Sequence, residues 1–122
     1  MEGYKDLDII ADASEALKPI SDEGITVMQG WYDKNIKKTH VTLWDCGEAD
    51  EKHSDDMPED TRLTVQVTIF STIDEIRLAH RIKKLMLEHG FDFEGRNADD
   101  SKPENGIYMK AQRFSKLYES EE

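Results

Sequence analysis

The chain reads as an α+β protein: a two-layer sandwich of about four mostly antiparallel strands with two helices packed on one face. Three observations predict it. The run Thr61-Arg-Leu-Thr-Val-Gln-Val-Thr-Ile-Phe-Ser71 alternates apolar and polar residues, with Leu63, Val65, Val67 and Ile69 on one side, as a half-buried strand does. Residues 74–89 then place Leu78, Ile82 and Leu85 on one side of a helix, with Ala79 and Met86 beside them, while Arg77, Arg81, Lys84 and Glu88 face away. A second alternating run, Gly106-Ile-Tyr-Met-Lys-Ala-Gln-Arg-Phe114, returns the chain to the sheet.

In chain order, Leu7, Ile10, Ala13, Leu17 and Ile20 recur at helical spacing, which predicts a helix over residues 4–18 closed by Pro19. Ser21-Asp-Glu-Gly24 is turn chemistry. Residues 25–31 read as a strand alternating Ile25, Val27 and Gln29 against Thr26 and Met28, with Gly30 marking a bulge. Residues 32–38 fit a hairpin loop and 39–45 its second, antiparallel arm. From 46 to 60 the chain is acidic, with Glu48, Asp50, Glu51, Asp55, Asp56, Glu59 and Asp60 set against Lys52. Its only apolar anchors are Cys46, Ala49 and Met57, so a mobile loop is expected, of the kind that orders on assembly. The third strand spans 62–71. Ser71 with Asp74, or Thr72 with Glu75, fits a capping box for the helix over 73–89, and Gly90 stops it. A polar link over 94–105 precedes the last strand, 106–115, and residues 119–122 form a frayed acidic tail. The crossover from third to last strand permits parallel pairing without requiring it, so several strand orders are open.

The 122 residues make one domain, covering 1–118, large enough to fold without staples. A net charge of −11 disfavours gripping nucleic-acid phosphates, because that affinity comes from Lys and Arg. The single cysteine, Cys46, forms no intramolecular disulfide. The N-terminus carries no signal-peptide pattern and no apolar run approaches the ~20 residues of a membrane span, which predicts a reducing cytoplasmic site of folding.

No segment sets a nucleophile beside a base, a glycine-rich phosphate loop or a metal-ligand pair, so neither enzyme activity nor a cofactor is expected. Cys46 with His53 and His40 lies around the least packable segment, and a catalytic dyad needs an ordered surround. Asp45, Glu48 and Asp50 lack the turn glycine and spaced bidentate glutamate of a calcium loop. Asp55 and Asp56 have nothing nearby to desolvate one of them. Arg77, Arg81 and Lys84 line one helix side, but pairing of Asp74 with Arg77 and of Lys84 with Glu88 accounts for the pattern. The remaining candidate is the second sheet face, expected to carry Thr64, Gln66, Thr68 and Phe70 from the third strand, with Tyr108, Lys110, Gln112 and Phe114 from the last. That mixture suits contact with another protein, and describes an ordinary solvated sheet face equally well.

The run from Ser54 to Thr61, Val65-Gln-Val-Thr-Ile-Phe-Ser71, Ile82-Lys-Lys-Leu-Met86, Gly90-Phe91 and Asn105-Gly-Ile-Tyr-Met-Lys-Ala-Gln-Arg-Phe114 resembles siphovirus (prophage) tail-completion proteins, the tail terminators and tail-to-head joining proteins. The resemblance covers residues 54–118, and the first half only in element order. It implies a small α+β protein, monomeric when isolated, that assembles as a hexameric ring capping the tail tube. Its partners would then be further copies of itself, the phage tail-tube protein and the head–tail connector protein, with no membrane and no specific nucleic acid. Another class of function also fits the composition: a small acidic inhibitor or DNA mimic that binds a nucleic-acid enzyme through its carboxylates.

Overall fold

The computed structural model describes residues 8–30, 38–51, 60–96 and 106–119, with the side chains of 49–51 left aside. It is an α+β fold in two layers, a five-stranded mixed sheet with helices on one side. The elements are α1 (Ile9–Ala16), α2 (Lys18–Asp22), β1 (Thr26–Gln29), β2 (His40–Glu51), β3 (Asp60–Ser71), α3 (Ile76–Glu88), β4 (Asp92–Arg96) and β5 (Tyr108–Tyr118). The strand order is β1-β2-β3-β5-β4. The order left open by the sequence is thus settled by β5 inserting between β3 and β4, antiparallel to both.

The core lies where the sequence periodicities meet. Leu63, Val65, Val67 and Ile69 of β3 join Val41 and Leu43 of β2 and Phe114 of β5 beneath Ile9, Ala13 and Ala16 of α1 and Leu78, Ala79, Ile82 and Met86 of α3. Asp8 begins α1 by accepting a hydrogen bond from the Ala11 backbone N–H at 3.0 Å, satisfying one of the free donors of the first turn. Pro19 does not end the helical region. It sits in the first turn of α2, where a missing N–H costs nothing, and Ile20 extends the apolar stripe into the core.

Four local expectations are corrected. β1 pairs with β2 in parallel, Thr26 beside His40 and Gln29 beside Leu43, so the two are not arms of a hairpin. β2 does not stop at residue 45 either. A bulge between Asp45 and Gly47 lets the strand run on, pairing Glu48 with Leu63 and Glu51 with Asp60. The turn at the bulge is held by the Asp45 carboxylate accepting the Gly47 N–H at 2.8 Å, and Gly47 supplies a φ of 107°. The segment after α3 holds a strand, β4, whose alternation Asp92, Phe93, Glu94 is too short and charged to stand out in sequence. Finally, no capping box forms. α3 starts at Ile76 with no side-chain cap; the Ser71 hydroxyl instead accepts from the Ile73 N–H at 3.2 Å and meets Thr39 at 2.7 Å.

Candidate interaction surfaces

The face that the candidate interface was expected to occupy is divided by the β3–β5 register. Val65 pairs with Phe114, Val67 with Gln112, Ile69 with Lys110 and Ser71 with Tyr108, so Tyr108, Lys110, Gln112 and Phe114 lie on the helix side. A one-residue difference in register exchanges the two faces of a strand. Phe114 is fully buried and packs against Phe93 at 5.5 Å between ring centroids. Gln112 is buried and donates to the Ala79 carbonyl of α3 at 3.1 Å, and the Lys110 ammonium meets the Asp74 carboxylate at 2.8 Å. These three are internal supports of α3. Their polar ends gave β5 no apolar side in the sequence, and only Phe114 could have signalled which way it faces.

Thr64, Gln66, Thr68 and Phe70 do share the second face, where they meet Thr42, Trp44 and His40 of β2 and Met109, Ala111, Arg113 and Ser115 of β5. His40, Thr42, Thr68, Phe70 and Ala111 are buried there, although the helices lie on the other side. His40 stacks on Phe70 with ring centroids 5.4 Å apart. Toward β4 the face becomes polar. Arg113 donates to Gln66 at 3.2 Å, Arg62 donates to Asp92 and to Ser115, each at 3.0 Å, and Ser115 donates to Glu94 at 2.5 Å. A cavity of about 480 Å³ opens between Gln66, Met109, Ala111 and Arg113 and the β4 residues Glu94, Gly95 and Arg96. Trp44 stands 49 % exposed on this face, opposite Gln66, a position to which the alternation of a hairpin arm over 39–45 assigns no role.

The two described ends of the acidic segment are strands and not loop, and residues 52–59 between them lie outside the described residues. Glu48, Asp50 and Glu51 stand on β2 and Asp60 opens β3, all within a paired ribbon, while Asp55, Asp56 and Glu59 fall outside the described residues. The bulge changes the phase of the strand. Asp45 is opposite Val65, Glu48 opposite Leu63 and Asp50 opposite Thr61, so positions 45, 48 and 50 share one side of the ribbon. A regular strand would have put 45 and 48 on opposite sides.

The expected neutralisation of α3 is also different. Asp74 turns to Lys110, not to Arg77, and Arg81 crosses to Glu23 of the α2 end. That bond holds the Glu23 carboxyl below its ordinary range and the Arg81 guanidinium above its own. Lys83 lies over the Phe93 ring at 4.1 Å. Among the described residues no ion pair engages Arg77 or Lys84. An open depression of about 500 Å³ runs along this side of α3 past His80, Lys83, Lys84, Leu87 and Glu88.

Among the described residues no group of three or more His, Cys, Asp or Glu is placed to hold a metal, and no helix is long and apolar enough to cross a membrane. No protein-family model matches the chain, and no curated protein matches it in sequence.

Proposed function

We propose that this chain is a non-enzymatic structural protein of a siphovirus tail, a tail terminator or head–tail joining component that caps the tail tube as a ring and docks to the head connector. It would act in the bacterial host cytoplasm during assembly and remain in the virion tail. The observation that carries this reading is the resemblance of residues 54–118, which coincides with the β3–α3–β5 unit at the centre of the fold. A ring also needs surfaces that neighbours can reach, and among the described residues β1 pairs with positions 40–43 of β2 only, while the ribbon runs on past Asp45 with Glu48 exposed.

The test mixes the purified protein with tubes of the tail-tube protein encoded nearest its gene, viewed by negative-stain electron microscopy. Rings at one end of the tubes are expected. Bare ends at saturating protein overturn the reading.

The placing of acids on a paired ribbon favours a second reading, the acidic inhibitor or DNA mimic. Backbone pairing on both sides of the bulge fixes the spacing of the acidic positions along the strand, which a mimic of a phosphate backbone requires. Co-purification with a host nuclease or polymerase, with loss of that enzyme's activity, would support it over the tail role.

A further inference from the structure

We infer that the outward side of α3 is the docking site for the acidic ribbon of a second copy of this chain, in a head-to-tail contact. The inference rests on the ring reading and names the two surfaces that would make it. The chain carries −11 overall, yet Ile76–Glu88 holds Arg77, His80, Arg81, Lys83 and Lys84 against the single acid Glu88. Arg81 is already paired with Glu23 and Lys83 is occupied by the Phe93 ring. Arg77, His80, Lys84 and Leu87 follow at spacings of three and four residues, which places them on one stripe of the helix. All four are exposed, as is Ile76 one turn before His80, so the stripe mixes cationic heads with apolar surface. The depression past His80, Lys84 and Leu87 gives that stripe its relief.

The complement on the same chain is the ribbon, where the bulge aligns positions 45, 48 and 50 and leaves Asp45 and Glu48 exposed. α3 packs with β4 and β5, whereas β2 lies on the far side of β3 under α1. The two surfaces therefore belong to separate parts of one molecule and each is available to a different neighbour. Distinct complementary patches on one chain give a heterologous contact, which closes into a ring when the rotation allows. Nucleic acid is the weaker occupant, since its phosphates would approach a molecule of strong negative charge.

The experiment uses the full chain in two charge-neutralised forms, Arg77→Gln with Lys84→Gln on the helix, and Asp45→Asn with Glu48→Gln on the ribbon, where an asparagine at 45 still offers an oxygen to the Gly47 N–H. Circular dichroism verifies their folding, and sedimentation velocity at about 0.1 M salt reads mass. Wild type should associate with rising concentration, each variant alone should stay monomeric, and an equimolar mixture should give a one-to-one dimer that grows no further. The dimer stops because each chain then keeps one intact surface. Self-association of either variant equal to that of wild type, absence of the mixed dimer, or failure of wild type to associate at about 1 mM overturns the contact. So does retention of single- or double-stranded DNA by wild type that the helix variant loses, with no self-association. Helix variants that still form rings on tail tubes overturn this contact and leave the tail role standing. A mixed dimer from a protein that ignores tail tubes removes the tail role and leaves the contact.

Discussion

Phe114 decides what the last strand does. Its side chain is fully buried between Val65 and Phe93, so Phe114→Ala should cost about 3–5 kcal/mol in urea unfolding, the usual loss for a large aromatic removed from a core. A loss below about 1 kcal/mol would return Phe114 to the surface role the sequence pattern first implied. Tyr118, four residues on, is an electrostatic marker. Partial burial, the hydrogen bond to Asp12 and the nearby carboxylates of Asp12 and Asp8 push its phenol well above its ordinary value of 10.0. The folded chain therefore keeps a proton that the unfolded chain releases near pH 10, so this contribution is fully present below that pH and is lost as pH rises through the folded value. Tyr118→Phe should make stability less dependent on pH above about 10, and ultraviolet titration of wild type should show one phenol ionising only with unfolding. A Tyr118 that ionises in the folded protein like a free phenol would contradict the pairing.

Among the elements, the β2–β3 ribbon departs furthest from its sequence pattern. Acids without apolar anchors look like a loop, yet backbone pairing asks nothing of side chains, and Gly47 with the Asp45 carboxylate supplies the bulge that carries the strand onward. Gly47→Ala should therefore cost about 1–3 kcal/mol through its backbone alone, since the added Cβ meets no atom within 4 Å. Amide exchange should show alternating protection over Cys46–Glu51, with slow N–H groups facing β3 and fast ones on the outer edge. Uniformly fast exchange would mean the ribbon opens freely. The elements that were legible share one property, a long apolar period. β3 and α3 bury Leu63 to Ile69 and Leu78 to Met86 on single sides, and the first helix shows Ala13 and Leu17 in the same way. Strands whose place depends on register escaped. β4 is short and charged, β5 alternates Lys110 and Gln112 with Ala111 and Arg113, and β1, four residues long, shows nothing in its residue types of the direction of its partner. The candidate surfaces were correspondingly half legible. The β3 positions share one face and the β5 positions face the helices, while sequence spacing pairs Asp74 with Arg77 and Lys84 with Glu88 where the fold turns Asp74 to Lys110.

At the scale of the whole molecule two electrostatic effects of different range act on association, and salt separates them. The charge of −11 repels identical copies over a distance set by the Debye length, about 30 Å at 0.01 M salt and about 10 Å at 0.1 M. The proposed pairing of Arg77 and Lys84 with Glu48 and its neighbours acts only within a few ångströms, where screening becomes effective near 1 M, at a Debye length of about 3 Å. Raising salt from about 0.01 M to 0.15 M should therefore strengthen self-association, and raising it further to about 1 M should weaken it again. The free protein is expected to be mainly monomeric at the low end. Light scattering across that range should show a maximum in mass, and Arg77→Gln with Lys84→Gln should abolish the falling limb along with the association. A mass that only rises with salt would mean that copies meet through apolar surface such as Trp44, Ile73 or Leu87, which salt does not weaken. A mass that only falls would mean that the overall charge is too diffuse to oppose the local contact.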